Sequence, residues 1–190
     1  MADNYRPDGA LLTSTSEEWF TPEQILAPMR VFAGLAAEPA FDPCGHPTNL
    51  VATTTVLQSK FENDPNATPA YPRTVIFGDG LALDWSGRGL VFCNPPYGRG
   101  IDRWLAKLAT ADEALALVPA RTDTRWFHAH AWTADAILFV ERRLHFSGAD
   151  TPAPFPSALY YLAPKGKDIT SDLDSFRACF GHLGKVLVQP

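Results

Sequence analysis

The chain is 190 residues long, enough for one substantial domain and too short for two complete ones. Apolar types make up 46% of it and charged types 19%, which excludes a disordered chain, while 17 prolines and 13 glycines point to irregular connections and away from a helix bundle. The net charge of -5 excludes a generic polyanion coat, yet residues 1–97 hold 11 acidic and 5 basic residues and residues 98–190 hold 10 and 11, so a polyanion is expected on the second half.

Residues 1–16 carry no periodic pattern and are expected to form a flexible N-terminal arm, followed by a single domain over 17–190. Thr21 is placed to cap a helix whose first residue is Pro22, and Ile25, Met29, Phe32 and Ala36 recur at helical spacing; Pro28 should bend or divide that helix. Ala40 and Phe41 read as a short strand ending in the turn Asp42-Pro43-Cys44-Gly45. The β-branched run 51–57 fits either a strand or a helix, and 58–73, polar with three prolines, is expected to be the most mobile loop.

Strands are predicted at 74–77 and 90–93, as the short apolar runs of a buried parallel sheet. A helix over 100–109 should bury Ile101, Trp104, Leu105 and Leu108, and strands at 114–118 and 136–140 should flank a helix near 124–131. A strand at 158–162, a helix capped by Ser171 and a last strand at 185–188 complete an alternating pattern, which predicts a three-layer α/β domain.

Cys44, Cys93 and Cys179 form neither a CxxC pair nor a zinc pattern, so they are expected to be reduced thiols of a cytoplasmic chain. His128, His130 and His145 likewise lack ligand spacing, and no metal is expected. No leader-like or membrane-length apolar run is present, so a membrane role is not expected.

The chemistry concentrates in Leu90-Val91-Phe92-Cys93-Asn94-Pro95-Pro96-Tyr97-Gly98, an apolar strand running into an amide, two rigid prolines and a ring. At the carboxyl edge of an open sheet, the Asn94 side-chain oxygen and the Pro95 carbonyl can accept both N–H bonds of an exocyclic amine. Pro96 stiffens the path, and Tyr97 offers a stacking ring. Such acceptors favour a more tetrahedral nitrogen, whose lone pair can attack a methyl carried on a sulfonium in line. Asp42 with Pro43, and Asp79, also follow predicted strands and should converge on the same crevice.

These residues carry a resemblance. Trp19-Phe20-Thr21-Pro22, Phe41-Asp42-Pro43-Cys44, Asp79-Gly80-Leu81-Ala82-Leu83-Asp84-Trp85, Asn94-Pro95-Pro96-Tyr97-Gly98, the 119–127 stretch through Arg121 and Arg125, and Pro154-Phe155-Pro156-Ser157-Ala158 together resemble the phage-type DNA N6-adenine methyltransferases over roughly residues 17–163. The resemblance implies a Rossmann-like class I methyltransferase fold with a mixed, mostly parallel seven-stranded sheet. It also implies S-adenosyl-L-methionine as donor and DNA adenine as acceptor. By family role, Trp19, Thr21, Pro22, Asp42, Pro43 and Asp79 would hold the donor, and Asn94, Pro95, Pro96 and Tyr97 the target adenine.

The sequence departs from methyltransferases at large in lacking a Gly-x-Gly-x-Gly run after the first strand, and no acid marks the end of the second; Glu62 and Asp64 are the nearest and are left unassigned. Arg99, Arg103, Arg121 and Arg125 read as phosphate contacts, and Arg142-Arg143 as a backbone grip or a brace for a hairpin. A duplex adenine would have to flip into the pocket, and with no separate recognition domain, specificity would come from the 58–73 loop or from a partner subunit in a homodimer. Competing readings are cytosine N4 or protein glutamine methylation, and a non-catalytic DNA-binding or regulatory protein of the same fold.

Overall fold

Short β-branched and apolar runs between polar turns build the central layer, and amphipathic helices cover its two faces. The computed structural model describes residues 19–34, 38–68 and 73–189. In chain order these form α1 (Glu23–Phe32), β1 (Phe41–Asp42), β2 (Thr54–Leu57), β3 (Thr74–Phe77), β4 (Leu90–Cys93), α2 (Ile101–Leu108), β5 (Glu113–Pro119), α3 (Arg125–His130), β6 (Ala136–Val140), β7 (Ser157–Leu162), α4 (Thr170–Phe180) and β8 (Gly184–Val188).

All eight strands join one sheet in the order β3-β2-β1-β4-β5-β7-β6-β8. Strands β3, β2, β1, β4 and β5 are mutually parallel, β7 runs antiparallel between β5 and β6, and β8 runs antiparallel along β6. The order reverses between β1 and β4, so the loops leaving these strands diverge and open a crevice at their carboxyl ends, the switch point where open α/β sheets take ligands. Register places Phe41 of β1 beside Val91 of β4, which brings the turns after both strands side by side.

Alternation along the strands divides the core into two layers. Leu115 and Leu117 of β5, with Leu159 and Tyr161 of β7, pack on one face with Ile25 and Met29 of α1 and Phe176 and Phe180 of α4. Ala114, Ala116 and Val118 share the other face with Ile101, Leu105 and Leu108 of α2 and Phe127 of α3. The structure is therefore a three-layer α/β fold, as the alternating pattern predicts, with the mixed, mostly parallel sheet that the resemblance implies.

Several local expectations change. The sheet has eight strands where the resemblance implies seven, the addition being β8 on the outer edge of β6. Of the run 51–57, Thr54–Leu57 form strand β2, paired on both sides by β1 and β3. Helix α1 begins at Glu23 with Pro22 as its N-cap and no side-chain cap, because proline carries no side-chain acceptor, and the Thr21 hydroxyl is engaged elsewhere; Pro28 lies inside it without dividing it. The carboxylate before α4, Asp168, accepts from the Thr170 backbone N–H and hydroxyl, so it fills the capping role predicted for Ser171. The 1–16 arm lies outside the described residues, as do 69–72 of the 58–73 loop; the rest of that loop is ordered into two short 3-10 turns, Ser59–Phe61 and Pro65–Ala67.

Candidate active site

The turn after β1 is built around a buried carboxylate. Asp42 is only 4% exposed, and its Oδ1 accepts from the Cys44 backbone N–H at 3.0 Å. Burial pushes the carboxyl up to about 7, and the Cys44 hydrogen bonds offset only part of that rise. A buried carboxyl with this affinity for a proton also has an affinity for an ammonium, which would restore its charge balance. Next to it the Cys44 and Cys93 thiols lie 3.6 Å apart across the β1–β4 junction.

The turn after β3 meets this one directly. A Cβ on Gly80 would sit 1.8 Å from the Pro43 carbonyl oxygen, so only glycine permits the approach. Trp85, fully buried beneath, donates from its indole N–H to the Gly80 carbonyl at 2.9 Å and fixes the turn from below. Asp79 is thereby carried to the crevice, where its Oδ1 accepts from the Leu81 backbone N–H at 2.9 Å.

Beyond β4 the chain presents Asn94 with its carboxamide held on both sides and its orientation set by the Trp19 carbonyl, which can only accept. Nδ2 donates to the Trp19 carbonyl at 2.6 Å and to the Thr21 hydroxyl oxygen at 3.0 Å, while Oδ1 accepts from the Tyr97 hydroxyl at 2.7 Å. Both amide protons are thus used, and one lone pair of Oδ1 stays available. No hydrogen bond engages the Pro95 carbonyl among the described residues. The Tyr97 ring stands edge-on to Phe155 and Phe146, with centroids at 5.4 and 6.1 Å, and burial drives its phenol well above the ordinary tyrosine range, so it stays a neutral donor.

Two adjoining hollows make up the cleft. Trp19, Thr21, Asp42, Asn94, Pro95 and Pro96 line a narrow upper part of about 60 Å³. Pro43, Asp79 and Pro96 line a lower part of about 350 Å³, and Cys44, Gly45, Gln58 and Pro96 border both. A long ligand with a polar head and a flat apolar body fits such a shape: the head beside Asp42, the body between Asp79, Val56 and Trp104.

Of the sequence-predicted residues, Pro22 and Tyr97 do not line the cleft: Pro22 is buried at the start of α1, and Tyr97 lies behind Asn94. Arg99, Arg103, Arg121 and Arg125 are exposed on the loops and helices that follow β4 and β5, outside the cleft. They make no ion pair among the described residues, whereas Arg30, Arg73 and Arg177 are paired with Glu23, Glu38 and Asp174.

Sequence reasoning missed Gln58, the first residue after β2, which lines both hollows where an acid was sought. Glu62 lines neither, and Asp64 spends its carboxylate capping Asn66 at 2.8 Å. Also missed were Asn49, whose Oδ1 accepts from the Thr21 N–H at 3.1 Å, and His46, whose ring lies between Phe20 and Phe61 at 4.4 and 4.8 Å. The end of β2 would have revealed Gln58 had 51–57 been readable as strand. The other two sit in an irregular loop with no periodic signal. Among the described residues no group of three or more His, Cys, Asp or Glu side chains could hold a metal ion, and no helix is long and apolar enough to cross a membrane.

Comparison with known proteins agrees with this geometry. The family model for DNA N-6-adenine-methyltransferase (Dam) matches residues 73–158, the segment that holds β3 to β6 and the Asn94–Tyr97 turn. Among curated proteins no match is found. Solved structures that resemble the chain include a candidate RNA methyltransferase from Pyrococcus horikoshii, at 16% identity and a TM-score of 0.54 over 78% of this chain and 87% of that one. The 23S rRNA methyltransferase ErmE also matches, at 14% identity and a TM-score of 0.43 over 88% of this chain and 80% of its own. The first of these likenesses supports the fold. With the switch-point cleft, the buried Asp42 and the Asn94 turn in place, the chain carries a class I, S-adenosylmethionine-dependent methyltransferase domain that matches the DNA N-6-adenine-methyltransferase (Dam) family over residues 73–158.

Proposed function

We propose that this chain methylates the exocyclic N6 amine of adenine in DNA. The observation that carries the reading is the Asn94 amide at the cleft wall, both of its N–H groups engaged by Trp19 and Thr21 and its oxygen left with a free lone pair, beside the unengaged Pro95 carbonyl. Asp42 would hold the ammonium of the donor. Pro43 and Asp79, with the wall formed by Trp19 and Pro96, would hold the rest of it, and Pro22 would fix the segment that carries Trp19. When bound, S-adenosylmethionine supplies an electrophilic methyl on a cationic sulfur.

Asn94 Oδ1 and the Pro95 carbonyl would accept the two N–H bonds of the target amine, reduce its conjugation with the ring and hold its lone pair in line with the methyl. As the new C–N bond forms, the methylated nitrogen becomes a strong acid, and its proton passes along one of these acceptors to solvent without a dedicated base. The Tyr97 phenol keeps Oδ1 polarised and in place. A base in a duplex would flip to reach this depth. Arg99, Arg103, Arg121 and Arg125, exposed after β4 and β5 and without an ion pair among the described residues, would hold the phosphates of the distorted strand.

The test is incubation of the purified protein with labelled donor and, in separate arms, unmethylated DNA, an RNA oligonucleotide and a glutamine peptide, followed by mass analysis of the products. N6-methyladenine in the DNA arm is expected, falling at least about a hundredfold in N94A, the loss typical of a removed transition-state acceptor. N4-methylcytosine, or label confined to RNA or protein, would move the assignment to that substrate. Donor binding without transfer in every arm would leave a non-catalytic domain.

A further inference from the structure

Thr21 stands at the start of α1 but does not cap it; its hydroxyl oxygen accepts one Asn94 amide proton at 3.0 Å, and the Trp19 carbonyl takes the other at 2.6 Å. The segment carrying both acceptors is clamped along its length. The Thr21 N–H donates to Asn49 Oδ1 at 3.1 Å, the Thr21 carbonyl accepts from the Ser147 hydroxyl at 3.3 Å, and the Phe20 carbonyl accepts from the Ser147 N–H at 3.0 Å. The Trp19 ring is held against Phe146 and Phe155, with centroids at 5.2 and 5.1 Å.

A carboxamide turned over about its last bond exchanges a donor for an acceptor. Turned over here, Asn94 would set its oxygen against the Trp19 carbonyl oxygen, which repels it, and would offer an N–H where the free lone pair had been, which repels an incoming amine. We infer that the Trp19-Phe20-Thr21 strap selects the amide orientation of Asn94, which makes Thr21 a positioning residue for the target amine and makes the Trp19 carbonyl the reason that position 94 carries an amide and not a carboxylate. The inference rests on the reading of Asn94 as the amine acceptor. It assigns the Thr21 hydroxyl to the acceptor side of the reaction, where the family resemblance alone would place it on the donor.

Three variants test it: T21V, which keeps the shape and removes the acceptor; T21S, which restores it; and N94D. Affinity for S-adenosylhomocysteine is measured by calorimetry, exchange protection of the Asn94 side-chain amide by nuclear magnetic resonance, with N94D supplying the assignment, and methyl transfer as a function of pH. T21V is expected to bind S-adenosylhomocysteine within about twofold of the parent while amide exchange rises and kcat falls by about tenfold, the scale of one missing positioning hydrogen bond. T21S should recover most of both. N94D should transfer better at pH 6 than at pH 8, because only a protonated carboxyl can donate to the Trp19 carbonyl.

Loss of S-adenosylhomocysteine binding in T21V with the amide still protected would overturn the inference and return Thr21 to the donor. N94D as active as the parent at pH 8 would overturn it as well. If the parent protein methylates no amine at all, the proposed function fails; the amide-exchange difference between T21V and T21S then still decides whether the strap orients Asn94.

Discussion

Asp42 shows most sharply how a site residue opposes the fold that holds it. Its carboxyl ionises near 3.9 in an unfolded chain and at about 7 in the folded protein, so the native state binds the extra proton between those values. The stability that this proton confers is fully present below pH 4 and is lost as the pH rises through 7. An Asp42→Asn substitution removes the titration. It should therefore raise the Tm of the ligand-free protein at pH 8, by up to about 4 kcal/mol of stability for a shift of this size, with no gain at pH 4. Thermal melts at the two pH values check this. If Asp42 meets the donor ammonium as proposed, the same variant should lose donor affinity, and the parent should bind the donor more tightly at pH 8 than at pH 6, as calorimetry would show.

The elements act chiefly by delivering their last residues. Strand β3 matters to the cleft because its following turn can touch the turn after β1, and that approach passes through Gly80, where a Cβ would meet the Pro43 carbonyl. Gly80→Ala drives a methyl into the Pro43 carbonyl, so it should separate the two turns, lower the Tm by several degrees and weaken donor binding at least about tenfold, while leaving the helical signal in circular dichroism intact.

At this scale, too, the limits of the sequence are visible. The strand at 90–93 and its Asn94-Pro95-Pro96-Tyr97 turn are legible because an apolar run cut off by two prolines allows few other conformations. Thr21 reads as a cap in the sequence although its side chain answers to Asn94, 73 residues away, and no local pattern reports such a partner. Gln58 escapes because its place at a strand end depends on β2 pairing with both β1 and β3, and isolated β-branched runs do not declare that pairing. Tyr97 reads as an open stacking platform; its hydroxyl instead supports the amide from behind, which requires three-dimensional packing to see.

Over the whole molecule, charge is divided unevenly along the chain. The acidic first half supplies β1 to β4 and most of the cleft lining, and the more basic second half supplies Arg99, Arg103, Arg121 and Arg125, which make no ion pair among the described residues. Replacing Arg121 and Arg125 together by glutamate should weaken DNA binding and flatten the dependence of log affinity on log salt by about two, roughly 0.9 for each phosphate left without its arginine, without altering donor affinity. A salt titration of fluorescent DNA binding, in parent and variant, measures both quantities.

The sheet order also has a practical consequence. Trp19 and Thr21 touch the amide at the end of β4, whereas the strand that closes the fold, β8, lies four places further along the sheet, roughly 19 Å away at the usual strand spacing. A bulky reporter joined beside Trp19 would crowd the mouth of the cleft, where the proposed function has a base enter. One attached beside β8 would hang from the far flank, making that edge of the sheet the better place for a fluorophore or an immobilisation handle.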